Sequence, residues 1–316
     1  MRLQNVALFG ANGQIGSTIL RALIEAKFAV TAIVQPGAVL EHAESDYLTV
    51  KEVDLMEASI EDLAVLLEGV HAVISALNGP ALEKQSLLQD AAAEAGVLRF
   101  YPSEYGMHHI YRKPDDGQGY LHPLWDQKER ANEACLLHPA ILDGTMSYTL
   151  IGCGDFYDQT REATWCPWAQ PDLEEYKIIA VGDATAKVDW TNLADLGKYL
   201  VNTLIEGENS HNAHLNFVSD TVSPTEIAGL LTWNGKKACV ETLPEQEMHK
   251  IVANPDEAPE DLRSGSAFPV DFWFMVKGAQ GQGRFRRPPG QIHNHLFPHI
   301  EPTRFEEYLG RIHSSH

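Results

Sequence analysis

The stretch Asn5-Val-Ala-Leu-Phe-Gly-Ala-Asn-Gly-Gln-Ile-Gly16 joins a short apolar run to three closely spaced glycines. Its apolar part, residues 6–9, is typical of a strand that is buried on both faces of a parallel sheet. Gly10 would allow a tight turn, Gly13 a close approach of the backbone to a pyrophosphate, and Gly16 close packing of the next helix. The stretch therefore predicts a phosphate-binding turn at the N-terminus of a helix.

The residues that follow support this prediction, which three glycines in seven residues would not carry alone. Residues 15–26 place Ile15, Ile19, Leu23 and Ala26 on one face of a helix, and residues 30–34 form a second apolar run. A strand, a turn, a helix and a strand at this spacing form one βαβ unit, which is the setting that a dinucleotide-binding turn requires.

Strands and helices continue to alternate up to residue 150. This alternation predicts right-handed crossovers and an α/β fold with a parallel sheet that carries helices on both faces. A ligand would then bind beyond the carboxyl ends of the strands, where the loops that hold Gly10, Gln35, Ser75 and Ser103 meet. The further strands are predicted at 48–53, 72–76, 98–101 and 145–150, and the further helices at 60–67, 82–95 and 123–137.

The pattern is looser after residue 150, where strands are predicted at 178–181 and 187–190 and a helix at 192–204. Residues 254–266 are polar and rich in proline and acidic residues, which predicts a mobile surface loop. Residues 268–276 concentrate aromatic and aliphatic side chains, which could either line a substrate pocket or pack a lobe.

Composition limits the classes of function. The formal net charge of the 316 residues is −20, so the surface repels phosphate backbones and general nucleic-acid binding is not expected. A basic cluster at 284–287 is interpreted as a solvated loop. No apolar run is long enough to span a membrane and no leader segment is visible, while the four cysteines are scattered. A cytoplasmic protein with reduced thiols is expected.

Several blocks of the sequence resemble the isoflavone reductase-like and NmrA-like branch of the atypical short-chain dehydrogenases. The resemblance extends thinly over nearly the whole chain, and its most specific element is a Pro-Ser-Glu-Tyr-Gly block after the fifth predicted strand. The blocks are Gly10-Ala-Asn-Gly-Gln-Ile-Gly16, Val73-Ile-Ser-Ala76, Arg99-Phe-Tyr-Pro-Ser-Glu-Tyr-Gly106, Lys128, Gly182-Asp-Ala-Thr-Ala-Lys187 and Glu306-Glu-Tyr-Leu309.

The resemblance implies a Rossmann-type doubly wound parallel sheet with a smaller C-terminal α/β substrate lobe. Residues 1–155 would form the dinucleotide-binding lobe, 178–205 would return to it, and 156–177 with 206–316 would form the substrate lobe. It also implies NAD(P)H-dependent reduction of a small aromatic or polyketide-like conjugated metabolite by a monomer or homodimer. The implied cofactor-binding residues are Gly10, Asn12, Gly13, Gln14, Ile15, Gly16, Gln35, Ser75, Ala76, Leu77, Pro102, Ser103 and Lys128.

Lys128 is the catalytic residue that the resemblance implies. An ammonium there could hold a ribose hydroxyl, and it could stabilise or protonate a substrate oxygen on which negative charge develops. Gln35 departs from the family pattern, because it stands where NADPH-preferring members usually have an arginine that grips the 2′-phosphate. NADP(H) is therefore the cofactor that the resemblance implies, and NAD(H) stays open.

Two other functions also stay open. An NmrA-like sensor would bind dinucleotide without catalysis and signal its redox state to a protein partner, and a non-redox isomerase or cyclase could use the same scaffold. A metal site at His293, His295 and His299 is not expected, because no acidic or cysteine cluster accompanies these histidines.

Overall fold

The computed structural model describes residues 3–40, 45–107, 122–160, 162–170, 173–264, 266 and 268–313. Across these ranges, seven strands form one sheet in which every neighbouring pair is parallel. The parallel sheet expected from the alternating pattern, and implied as doubly wound by the family resemblance, is thereby confirmed. The order is β10 (Ala213–Phe217), β6 (Ser147–Cys153), β5 (Arg99–Tyr101), β4 (Ala72–Ser75), β1 (Asn5–Phe9), β2 (Ala29–Val34) and β3 (Leu48–Glu52).

Helices cover both faces of this sheet. Successive residues of β1 point to opposite faces, as in any strand, so Val6 and Leu8 pack into one core cluster and Ala7 and Phe9 into another. On the first face lie α1 (Gln14–Glu25) and α6 (Leu193–Ile205). The second face carries α2 (Ile60–Leu66), α3 (Gln85–Glu94), α4 (Pro123–Leu136) and α5 (Pro139–Leu142).

A second core is built mainly from residues after β6. It contains a two-stranded parallel sheet and a three-stranded sheet, and its buried side chains include Trp168, Trp190, Trp273 and Phe274. Its strands are β7 (Asp155–Phe156), β8 (Tyr176–Val181), β9 (Val188–Thr191), β11 (Asp220–Val222) and β12 (Ala238–Leu243), and its helices are α7 (Pro224–Trp233), α8 (Glu245–Ala253), α9 (Glu260–Ser264), α10 (Val270–Gly281) and α11 (Phe305–His313).

The chain passes between the two cores more than once. α6 packs against α1 on the main sheet, and β10 adds the edge strand of that sheet. β8, in contrast, pairs with β12 in the second core. A residue's position in the sequence therefore does not tell which core it belongs to. The range 206–316 supplies the strand β10 to the main sheet and the helices α7–α11 to the second core.

Residues 254–266 differ from the sequence prediction of a loop. The segment contains a 3-10 turn at Pro255–Glu257 and the helix α9. Ala258 and Leu262 are buried in the second core. The sequence did not indicate this burial, because prolines and acidic residues surround these two apolar side chains. Within the described part of the chain, no helix is long and apolar enough to cross a membrane.

The α1–α6 contact depends on Gly197. A Cβ atom there would lie 2.9 Å from the Cβ of Ala22 and 3.3 Å from the carbonyl oxygen of Thr18. Gly197→Ala should therefore lower the free energy of unfolding by about 1–3 kcal/mol, because two packed helices must separate. Urea denaturation of the variant measures this difference.

Gly229→Ala is the matched control. Gly229 also lies inside a helix, α7, but its added Cβ would meet no atom within 4 Å. That variant should gain about 0.5–1 kcal/mol from the better helix propensity of alanine. Equal effects at the two positions would show that helix propensity, rather than the close contact with α1, determines the change.

Candidate functional site

A cavity of about 310 Å³ opens at the edge of the main sheet where the parallel strands end. Residues directly after β1, β4, β5 and β6 contribute to its wall, as expected for a ligand site in an open α/β sheet. They are Gly13, Gln14 and Ile15 after β1, Ala76, Leu77 and Asn78 after β4, Ser103, Tyr105, Gly106 and Met107 after β5, and Gly154, Asp155 and Phe156 after β6.

The turn between β1 and α1 is held by contacts that admit no side chain at two glycines. Gly10 has φ +78°, and a Cβ there would lie 2.6 Å from the carbonyl oxygen of Ala76. At Gly16 an added Cβ would lie 2.0 Å from the carbonyl oxygen of Gly10. These two glycines therefore fix the close packing of strand, turn and helix.

Gly13 has a different role in the same turn. Its backbone is extended, with φ −71°, and an added Cβ would meet only the carbonyl oxygen of Gly10, at 3.3 Å. Gly13 is exposed and lines the cavity at the N-terminus of α1, where no side chain caps the helix. The first N–H groups of the helix have no acceptors within it, so this rim fits an anionic group.

Two further loops are tied to each other beside this turn. The backbone N–H of Ser103 donates to Oε1 of Gln85 at 2.7 Å, and its hydroxyl donates to the carbonyl oxygen of Leu77 at 2.7 Å. Since Leu77 follows Ala76, which contacts Gly10, the loops after β1, β4 and β5 meet as the sequence analysis expected. They form one continuous wall of the cavity.

Lys128 reaches this wall from α4. It lines the cavity, and its Nζ donates to the backbone carbonyl oxygen of Glu104 at 2.8 Å. The Glu104 side chain is buried and accepts a hydrogen bond from Nδ2 of Asn132, which lies one turn after Lys128 on the same helix. The Pro-Ser-Glu-Tyr-Gly block and Lys128 thus form one hydrogen-bonded unit.

Burial shifts the pKa of both charged groups in this unit. It lowers the pKa of the Lys128 ammonium and raises the pKa of the Glu104 carboxyl, while the attraction between the two groups opposes both shifts. Burial thus makes each charge less favourable than it is in water, and the opposite charge of the other group compensates part of this cost. A lysine whose pKa is lowered releases its proton more readily than an exposed lysine does.

Arg287 supports the same block from the second core. Its Nη2 donates to the carbonyl oxygen of Gly106 at 3.1 Å, and its backbone N–H donates to Oδ2 of Asp189 at 2.7 Å. Arg284 is also buried. The interpretation of residues 284–287 as a solvated loop is therefore wrong for these two arginines, because they pack inside the protein.

The remaining wall of the cavity is aromatic and aliphatic. Residues 268–276 satisfy both interpretations of that segment, since Phe268, Phe272 and Val276 line the cavity while Trp273 and Phe274 fill the second core. Sequence reasoning did not place the other members of this wall, because they lie in separate elements of the chain. These are Leu124, Trp125, Gln159, Trp165 and Phe285.

The structure brings together most of the residues that the sequence analysis assigned to a cofactor. Those that line the cavity are Gly13, Gln14, Ile15, Ala76, Leu77, Ser103 and Lys128. Gly16, Ser75 and Pro102 stand next to lining residues in the chain, Gly10 packs against the lining residue Ala76, and Asn12 is exposed on the turn.

Gln35 lies apart from the cavity wall. It is exposed after β2, and the N–H of Gly37 in the same loop donates to Oε2 of Glu52 at 3.2 Å. A carboxylate therefore borders the loop in which the family pattern would place an arginine. Among the described residues, no group of three His, Cys, Asp or Glu side chains is placed to hold a metal ion.

The different roles of the glycines lead to a prediction. Gly13→Val should abolish binding of NADPH and NADH, measured by titration, because its side chain would occupy the cavity rim, while its Cβ would meet only one atom, the carbonyl oxygen of Gly10 at 3.3 Å. Circular dichroism should show an intact fold. Gly16→Val, in contrast, should destabilise the protein, since its Cβ would collide with backbone atoms. Unchanged cofactor affinity in a folded Gly13→Val variant would refute the assignment of this turn to cofactor binding.

Comparison with known proteins agrees with this geometry. The sequence profile of the NmrA-like family matches residues 3–309. Phenylcoumaran benzylic ether reductase TP7 from Nicotiana tabacum is 24% identical over 97% of this chain and 98% of its own length. Asnovolin J 5′,6′-dehydrogenase from Aspergillus novofumigatus is 30% identical over 64% of this chain and 60% of its own length.

A solved structure shares the fold over nearly the full chain. Leucoanthocyanidin reductase from Vitis vinifera, in a binary complex with NADPH, superposes with a TM-score of 0.74. The alignment covers 98% of this chain and 100% of that one, at 17% sequence identity. The similarity establishes the architecture of this chain.

Proposed function

This chain belongs to the NmrA-like family, and from that premise we propose that it is an NAD(P)H-dependent reductase of a small aromatic or polyketide-like conjugated molecule. One observation carries the proposal. A single cavity is lined by the Gly13–Ile15 turn, by Lys128 and by an aromatic wall. A phosphate-binding rim, a proton donor and an apolar surface are the parts that such a reaction requires.

The cofactor would lie along the ends of the strands. Its pyrophosphate fits the N–H groups at the start of α1, beside Gly13, where the absence of a Cβ allows close approach. Leu77, Ser103 and Lys128 line the cavity beyond this turn, and they would face the nicotinamide half. NADP(H) is the cofactor that we propose first, in keeping with the NADPH complex of the Vitis vinifera relative.

Lys128 would assist the reaction through its ammonium group. The bound nicotinamide supplies the hydride, and the protein must neutralise or protonate the oxygen on which negative charge then develops. Nζ is anchored by one hydrogen bond to the carbonyl oxygen of Glu104, which leaves two of its three donors for a ribose hydroxyl and a substrate oxygen. Its lowered pKa favours transfer of the proton.

The substrate would lie against the aromatic wall. Flat apolar surfaces are offered by Trp125, Trp165, Phe268 and Phe272, and such surfaces can stack on conjugated rings. Such a wall excludes water from the reacting atoms, which strengthens the electrostatic effect of Lys128. A conjugated ketone or quinone combines an apolar body with the electron-poor carbon that a hydride requires.

Lys128→Ala tests the catalytic assignment. Turnover should fall by about 10²–10⁴-fold, the usual contribution of a positioned acid or base. Cofactor affinity should fall much less, because one hydrogen bond contributes about 0.5–1.5 kcal/mol. Steady-state kinetics with a substrate found by screening conjugated ketones and quinones, together with NADPH titration, separates the two effects.

Lys128→Arg is the companion variant. It keeps the positive charge, but the planar guanidinium does not give up its proton at neutral pH, so little activity should return. Wild-type turnover in both variants would identify Lys128 as a structural lysine. If dinucleotide binds tightly and no substrate is turned over with either cofactor, the non-catalytic sensor becomes the better explanation.

Gln35→Arg tests the proposed position of the adenosine ribose. A guanidinium after β2 would add charge-assisted bonds to a 2′-phosphate, each worth about 1.5–3 kcal/mol when well placed. The affinity for NADPH relative to NADH should therefore rise. Glu52→Gln tests the nearby carboxylate. It should also raise the affinity for NADPH relative to NADH, because it removes the repulsion between that carboxylate and the 2′-phosphate. An unchanged affinity ratio in both variants would mean that the ribose binds elsewhere.

A further inference from the structure

A half-buried carboxylate in the wall of the cavity and a buried ammonium close to it have no role in the machinery described above. Asp155 is the first residue of β7, and it is the one acidic residue among the described residues that line the cavity. Its Oδ2 accepts a hydrogen bond from Nε2 of Gln280 at 2.7 Å. Gln280 lies on α10, in the last turn of a helix that also supplies the lining residues Phe272 and Val276.

Lys277 lies behind this carboxylate, one turn before Gln280 on α10. Its side chain is only 6% exposed, and three indole rings surround its ammonium. Nζ is 5.6 Å from the ring centre of Trp165 and 5.9 Å from those of Trp190 and Trp273. The positive charge of Lys277 attracts Asp155 and opposes the rise in the carboxyl pKa that burial causes.

The unfavourable free energy of removing these two charges from water indicates that Asp155 has a ligand to bind. Removing an ammonium and part of a carboxylate from water is unfavourable unless both are compensated, and an apolar side chain at residue 155 would match the aromatic wall better. Only part of the carboxylate is used by Gln280 and by the backbone of Phe156. A carboxylate has about four acceptor positions, so Asp155 can accept a further hydrogen bond from a molecule in the cavity.

The charge balance indicates which kind of group would donate this bond. Lys277 already places one positive charge near Asp155, so a cationic ligand would add a second positive charge to a largely apolar cavity, which is costly. A neutral hydroxyl group brings no net charge and still forms a strong hydrogen bond with a charged acceptor. The flat rings of Trp165 and Phe272 beside it suit an aromatic ring that bears this hydroxyl group.

We propose that Asp155 is a specificity-determining residue, which selects neutral aromatic substrates that carry a hydroxyl group and accepts the hydrogen bond of that group. This proposal rests on the reductase function proposed above, because it names the substrate class of the same cavity. It assigns two polar contacts to one substrate: Lys128 at the oxygen that is reduced and Asp155 at a hydroxyl group elsewhere on the molecule.

The test compares 4-hydroxychalcone with 4-methoxychalcone, which have the same conjugated ketone but differ in the donor. Binding to the full chain is followed by quenching of tryptophan fluorescence in the presence of NADP⁺, since Trp125 and Trp165 line the cavity. Wild-type protein should bind the hydroxyl compound about 10-fold more tightly, as expected for one hydrogen bond to a charged group. Asp155→Asn should reduce this ratio and Asp155→Ala should abolish it.

Gln159→Leu is the matched control. Gln159 also lines the cavity, but its Nε2 already donates to the carbonyl oxygen of Phe156 at 3.1 Å, so this variant should keep the wild-type ratio. An equal loss of preference in Gln159→Leu would overturn the assignment to Asp155. Tighter binding of a protonated 4-aminomethyl chalcone than of the hydroxyl compound would overturn the argument from charge balance.

The remaining outcomes separate this proposal from the reductase proposal. If NADPH binds but the wild-type protein shows no preference for the hydroxyl compound, or binds neither chalcone, Asp155 does not select substrates and only this inference fails. If Asp155→Asn weakens NADPH binding and leaves the chalcone ratio unchanged, the carboxylate holds the cofactor instead. If no dinucleotide binds to the wild-type protein, the reductase proposal fails, whatever the chalcones show.

Discussion

The architecture depends on the close approach of two backbones, where the turn after β1 meets the loop after β4. No side chain fits at Gly10 or Gly16, because added Cβ atoms would lie 2.6 and 2.0 Å from carbonyl oxygens. The approach fixes the start of α1 against the sheet, and it places Gly13 and Leu77 in one cavity wall. Ser103 then ties the loop after β5 to Leu77. A packing constraint at two glycines therefore determines the geometry of the proposed cofactor site.

The cavity also depends on buried charges that occur in compensated groups. Lys128 and Arg287 both lie near the buried Glu104 carboxyl and lower its pKa, whereas burial raises it. The half-buried Asp155, which lines the cavity, and the buried Lys277 form a second group. Because buried charges are unfavourable without partners, each group holds its members in fixed positions. This fixed arrangement lets the cavity present one ammonium and one carboxylate on a surface that is otherwise largely apolar.

The sequence predicted the fold well and the site in part. Alternating apolar segments are local signals, so the first six strands of the main sheet, the first helices and the turn at Gly13 could be predicted directly, whereas the edge strand β10 was not predicted. Contacts between residues that are distant in the chain leave no such signal. Arg287 donates a hydrogen bond to Gly106 across the boundary of the two cores, whereas its basic neighbours in the sequence indicated a solvent-exposed loop. Asp155 was missed for the same reason, because its partner Gln280 lies on a helix far along the chain.

The charge of the whole protein constrains how the proposed cofactor can bind. With a formal net charge of −20, the surface repels an anionic dinucleotide at long range, so attraction has to come from short-range contacts. The N–H groups at the start of α1 supply such contacts, and no acidic side chain stands in the first turn of that helix to oppose them. At the loop after β2, in contrast, Glu52 adds negative charge where an additional phosphate would lie. The two phosphate positions of the proposed dinucleotide site therefore differ in electrostatic character, and the pyrophosphate position provides the attraction.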